Sequence, residues 1–286
     1  MDEKRSAIFK VLANRFHKGS LTELVPLLPE SMREQLIHEG ISYDNVEALF
    51  HSKDETIRNM HYSWMVDIVS QWDEGRQALI VSSLPKKQAM GLSRILNISA
   101  TSPRLSNPVK HFFLDQLSRN LSLGHVLPIP LIPESPLKRL LSLSKEEIEK
   151  IIDFLGVYDL ANEMKQIINK KILASILQSI GPERKKILKR AMLQQDKFIQ
   201  DRMGVEHFGG DQNAMDKVLH KRGMIRLAKG ISGCHPDLFW HLSHILDTGR
   251  AKFLEKYWEK DPTPVITDSI ARQIHSVIKF LEEQSG

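Results

Sequence analysis

The sequence predicts an all-α protein of stacked helix pairs, an armadillo-like superhelix in two or more domains. Three observations carry that expectation. Apolar residues recur at helical spacing along most of the 286 residues. Alternating strand patterns and Asn-Gly or Asp-Gly hairpin turns are missing from the sequence. A unit also recurs at uneven intervals: an apolar helix, a break at proline, then a second amphipathic helix. Neither helix of such a pair buries its apolar face alone, so pairs are expected to stack.

Taken in order, the first unit is LTELVPLLPESMREQLI (21–37) and the second QALIVSSLPKKQAMGLSRIL (77–96). Pro29 and Pro85 are placed to start the second helix of each, where a missing N–H costs nothing. Six of the 13 prolines then fall between 103 and 136, and LGHVLPIPLIPESP excludes a regular helix. The expected division is therefore an N-terminal helical part over 1–118, a Pro-rich linker over 119–136 and a C-terminal helical part over 137–286.

SKEEIEKIIDFL (144–155) is the clearest helix. Ser144 and Glu147 form a capping box, Ile148, Ile151, Ile152 and Leu155 share one face, and Gly156 is expected to stop it. KKILASILQSIGPERKKILKRAM (170–192) repeats the pair, with Pro182 at the break. In FGGD (208–211), Asp211 is expected to act as a hinge or helix cap. The last helix, 268–283, aligns Ile270, Ile274, Val277, Ile278 and Leu281.

Composition narrows the classes of function. Hydrophobic residues are 41% and charged residues 26%, enough for packed cores and too apolar for global disorder. One cysteine forms no internal disulfide and no all-Cys zinc site, which fits a reducing cytoplasmic setting. The N-terminus MDEKRSAIFKVLANRF lacks a secretory apolar core, and no run is long enough to span a membrane. The net charge of +5 spreads 40 basic residues among 35 acidic ones. Only PERKKILKR (182–190) is densely basic. It reads as a solvated helix face, or alternatively as the contact of a nucleic-acid-binding helical-repeat protein.

Residues 227–253, LAKGISGCHPDLFWHLSHILDTGRAKF, hold Cys234, His235, His241 and His244. His241 and His244 are one helical turn apart, as metal ligands can be, yet no C-x-x-C or H-E-x-x-H spacing accompanies them. The expectation is a packed face of Leu238, Phe239, Leu242 and Ile245 with the histidines on its flanks, and no metal, no cofactor and no catalytic set. Trp240 and Trp258 are expected as interface anchors.

The segment AMDKVLHKRGMIRLAKGISGCHPDLFWHLSHILDTGRAKFLEKYW (214–258), followed by DPTPVITDSIARQIHSVIKFLEEQ (261–284), resembles the C-terminal domain of the FliG-like flagellar motor switch family. QALIVSSLPKKQAMGLSRILN (77–97) resembles its middle domain. The resemblance implies a non-enzymatic adaptor in a cytoplasmic ring that is peripheral to the inner membrane. The implied partners are an inner-membrane ring protein (FliF- or SctD-like), a switch or sorting-platform protein (FliM- or SctQ-like) and further copies of itself. Two departures from the family pattern stand out. Trp72, Asp73, Glu74 and Gly75 occupy the place of the family's E-H-P-Q docking motif. Lys229 and Arg250 match the family's stator-facing basic residues, but its acidic pair falls on Lys256–Tyr257 or Tyr257–Trp258. The resemblance thus points to a type III secretion relative without torque generation, with Lys229, Trp240, Arg250, Lys256, Tyr257 and Trp258 as its candidate partner surface.

Overall fold

The computed structural model describes residues 9, 13, 24–30, 33, 54–98, 104–207 and 211–285. Among them every regular element is helical and no strand occurs, so the fold is all-α. In chain order the helices are α1 (54–59), α2 (Val66–Val69), α3 (Glu74–Ser83), α4 (Lys86–Leu96), α5 (Asn107–Asn120) and α6 (Lys145–Met164). They continue as α7 (Lys170–Ser179), α8 (Pro182–Met192), α9 (Gln212–Gly230), α10 (Pro236–Ile245), α11 (Thr248–Tyr257) and α12 (Pro264–Ser285). Most of the 21–37 pair lies outside the described residues. Arg33 there is helical and its N–H donates to Pro29 O at 3.2 Å.

The chain divides into two compact units, differently from the division expected at 119–136. Unit 1 takes the residues up to Leu141 together with His235–Thr248, and unit 2 takes Ser142–Cys234 and Gly249–Gly286. The physical reason lies in the Pro-rich stretch itself. Its prolines shape short 3-10 turns at Ile129–Leu131 and Lys138–Ser142. Leu127, Leu131, Ile132, Leu137 and Leu140 between them are buried, so the stretch is packed core and not a spacer.

Unit 1 is built on Ile57, Met60, Met65, Val69, Ile80, Val81, Leu92, Leu114 and Leu117, which form one apolar cluster. The α3–α4 pair breaks at Leu84–Pro85 as the sequence predicts, with Pro85 as the N-cap of α4. Helix α10 joins this unit through bonds to residues far away in sequence. His61 N–H donates to His244 O at 2.8 Å, Trp64 Nε1–H to Leu246 O at 3.0 Å, and Leu127 N–H to Asp237 Oδ2 at 2.9 Å.

Unit 2 is organised by the pairing of α6 and α9, with α8 packed on α6 and α12 on both. The capping box of Ser144 and Glu147 is present and starts α6. Helix α6 does not stop at Gly156 but runs on to Met164. Gly156 instead marks where α9 crosses: a Cβ there would land on the Leu219 carbonyl, and one at Gly223 on the Ile152 carbonyl. Two glycines facing each other's backbones let the helices approach more closely than side chains permit. The 170–192 pair forms as α7 and α8, with Pro182 at the first position of α8. In α12, Ile270, Ile274, Val277 and Ile278 are buried as expected, while Phe280 replaces Leu281 in the core and meets Phe154 edge-on at 5.7 Å.

Candidate partner surface and its supporting polar centres

The six residues singled out from the sequence are divided between the two units. Trp240 lies in unit 1 and Lys229, Arg250, Lys256, Tyr257 and Trp258 lie in unit 2. Lys229 sits in the last turn of α9 and ion-pairs with Glu259. Around that pair the chain is cross-tied: Trp258 Nε1–H donates to Ile231 O at 3.3 Å, Glu259 N–H to Ser232 Oγ at 2.9 Å, and Gly233 N–H to Glu259 O at 3.1 Å. Gly233 holds φ +74°, a conformation that favours glycine and makes this corner possible. Lys256 is exposed, 5.5 Å from the Tyr257 ring, which in turn packs on Phe253.

Arg250 belongs to a ladder of charges across four helices. It approaches Glu149 at 3.4 Å and its Nε–H donates to His220 Nε2 at 3.1 Å. His220 Nδ1–H donates to Asp153 Oδ1 at 2.8 Å, and Arg184 bridges Asp153 and Asp216. Through the Asp153–His220 pair, whose outward nitrogen accepts from Arg250, α6, α9 and α11 are tied together. The same contacts take in part of the basic stretch 182–190. Arg184 is engaged here, Ile187 and Leu188 are buried, and Arg190 reaches Glu283 at 3.8 Å and the Phe280 ring at 5.2 Å.

Sequence reading missed a deeper centre. Arg226 is fully buried and its Nη2 donates to Asp159 Oδ1 at 2.5 Å, to Asp196 Oδ2 at 2.6 Å and to Phe198 O at 3.1 Å. Its Nη1 donates to Gln273 Oε1 at 2.8 Å, and its Nε is left without a partner. Asp196 accepts three further bonds, from Asn162 Nδ2, Phe198 N and Gln273 Nε2. Burial pushes the Asp159 carboxyl above its usual range despite Arg226. At Asp196 burial pushes the same way, but the Arg226 guanidinium and its hydrogen bonds outweigh it and hold the carboxyl below that range. Burial opposes the charge on Arg226, and the two carboxylates overcome it. The available signal was local: Arg226 stands in the apolar run Met224, Ile225, Leu227 and Ala228, all of which prove buried.

The histidines of α10 are not flanking groups, which corrects the expectation from sequence. His241 is buried and its Nε2–H donates to Leu127 O at 2.7 Å. His244 lies between two indoles, 3.9 Å from Trp64 and 3.8 Å from Trp240, both stacked. Phe239, expected in the packed face, is only half-buried. Among the described residues no group of three or more His, Cys, Asp or Glu is arranged to hold a metal ion. Trp240, itself half-buried, stacks on His244 within unit 1. In the place of the family's docking motif, Trp72 packs on the unit 1 core and Asp73 caps α3 by accepting from Arg76 N at 3.0 Å. Asp211 caps α9 by accepting from Asn213 N and Ala214 N.

The indole–imidazole stack has a pH consequence. Burial is the main cause that lowers His244 to about 4, and His241 is lowered too. The folded state therefore prefers neutral imidazole. The stack's stability is complete above the unfolded value of 6.5 and falls as pH drops from 6.5 toward 4. The loss at His244 is on the order of 3 kcal/mol, at 1.36 kcal/mol per pKa unit. Urea denaturation followed by tryptophan fluorescence should show this acid-side loss. His244→Phe, which keeps an aromatic ring between the indoles, should reduce it.

The fold and these centres define an all-α chain of two helical units, each with polar groups tied into its interior. No family model, curated protein or solved structure matches it.

Proposed function

We infer that this chain is a non-enzymatic scaffold of a flagellar-type rotor or type III secretion cytoplasmic ring, linking the inner-membrane ring to a switch or sorting-platform protein without generating torque. One observation carries the reading. The two basic residues that align with the stator-facing charges of the FliG-like family, Lys229 and Arg250, are engaged inside unit 2 with Glu259, Glu149 and His220. A charge held in a partly buried pair has little field left for a passing partner, and screening confines what remains to ~10 Å. Lys256 is exposed with the half-buried Tyr257 beside it, so they are the residues on which a static partner would rest. Repeated copies in a ring would multiply modest contacts into stable attachment.

The test is co-elution of the purified full chain with the cytoplasmic domain of an inner-membrane ring protein and with a FliM- or SctQ-like protein. A complex with either, weakened by combined Lys256→Glu and Tyr257→Ala, is the expected result. A folded chain that binds neither protein overturns the reading.

A further inference from the structure

Three large apolar side chains of unit 2 stand almost entirely in solvent: Ile168 at 95% exposure, Leu193 at 90% and Ile199 at 74%. None lies on a helix face. Ile168 is in the turn between α6 and α7, Leu193 is the C-cap of α8, and Ile199 is in the irregular segment that follows. Two bonds draw these segments together. Lys165 Nζ donates to Gln194 O at 2.8 Å, and Arg202 Nη2 donates to Gln166 Oε1 at 2.8 Å. The direction of Ile199 follows from its neighbours. Phe198 and Gln200 turn inward to Arg226 and Asp159, which leaves Ile199 and Lys197 pointing out.

The exposed charges of these segments, 165–171 and 193–202, are one-sided. Lys165, Lys170, Lys171, Lys197 and Arg202 face solvent against Asp201 alone, because Asp196 is turned in to Arg226. Apolar tips set in a basic rim match an anionic bilayer surface, where hydrocarbon enters the headgroup boundary and ammonium groups meet phosphates. A protein partner would need a separate matching pocket for each of the three tips, whereas a fluid headgroup layer takes them wherever they stand. No helix among the described residues is long and apolar enough to cross a membrane, so contact here is with the surface only.

We propose that this end of unit 2 docks directly on membranes bearing anionic headgroups, through Ile168, Leu193 and Ile199 as inserted tips and the surrounding lysines as headgroup contacts. The proposal does not rest on the adaptor reading, since the assay contains no ring protein, and the two fail separately.

The experiment is sedimentation of the full chain with vesicles of phosphatidylcholine alone and of phosphatidylcholine mixed with phosphatidylglycerol. Sedimentation is expected with the mixed vesicles only, and added salt should weaken it. Paired Lys170→Glu and Lys171→Glu should lower partitioning by about thirtyfold or more. Paired Ile168→Ser and Leu193→Ser should lower it on the order of a hundredfold, with helicity by circular dichroism unchanged because these side chains are already in water. No sedimentation, equal sedimentation with neutral vesicles, or indifference to both pairs of substitutions overturns the proposal. Capture by a polyglutamate peptide without vesicle binding also overturns it, and assigns the surface to an acidic protein.

Discussion

Arg226→Met is expected to destabilise unit 2 by about 3–5 kcal/mol, the cost of removing one partner from a buried charge cluster. Methionine fills much of the space, so the loss is electrostatic and not a cavity. Asp159 and Asp196, with side chains 6% and 5% exposed, would face each other without the guanidinium that now bonds to both. The two carboxylates are not equivalent, and their substitutions sharpen the test. Burial works against the charge on Asp159 and raises its carboxyl, whereas the surroundings of Asp196 favour its charge. Asp159→Asn should therefore cost about 1 kcal/mol. Asp196 accepts from four donors on two oxygens, and an asparagine amide would point its own N–H groups at two of them. Asp196→Asn should cost about 3 kcal/mol. Urea unfolding followed by far-ultraviolet circular dichroism would measure all three. An Arg226→Met protein as stable as the parent would mean that the cluster does not hold the unit together.

Gly156→Ala and Gly223→Ala are expected to destabilise the same unit, against what helix propensity predicts. On propensity alone each change would gain about 1 kcal/mol, because alanine favours a helix over glycine. The crossing of α6 and α9 reverses the sign. Either new methyl group would fall on a backbone carbonyl of the opposite helix, Leu219 or Ile152, and backbone cannot rotate away as a side chain can. The helices must separate and give up contacts among the buried Ile148, Ile152, Met215 and Leu219, at a cost of about 3 kcal/mol. Gly124 meets nothing within 4 Å of an added Cβ, so Gly124→Ala is the matched control and should be close to neutral. Stabilisation by Gly156→Ala would show that the helices are not in backbone contact there.

These results bear on how much of the molecule was legible in advance. Ser144 with Glu147, Asp211 ahead of α9, Pro182 opening α8 and the Ile270–Ile274–Val277–Ile278 stripe were all readable. Each rests on groups within one or two helical turns, and such groups interact wherever the helix finally sits. The end of α6 was misread for the same reason. Gly156 looks locally like a helix stop, and only Leu219, 63 positions on, turns it into a crossing point.

The candidate surface was less legible than the fold. Lys229, Arg250 and Trp240 are residue types that often meet partners, yet Glu259, His220 and His244 engage them within their own units. Arg226 drew no notice because a lone arginine in a helix is ordinarily exposed.

The sequence by itself determined that this is a helical protein, where several helices begin and which faces are apolar, because those features follow from backbone chemistry over short spans. Only the tertiary structure decided that 235–248 belongs with the N-terminal unit, that the proline-rich stretch is core, which charges are engaged and which apolar side chains remain in water. Those outcomes depend on which distant groups meet, and burial and pairing energies come into being only when they do.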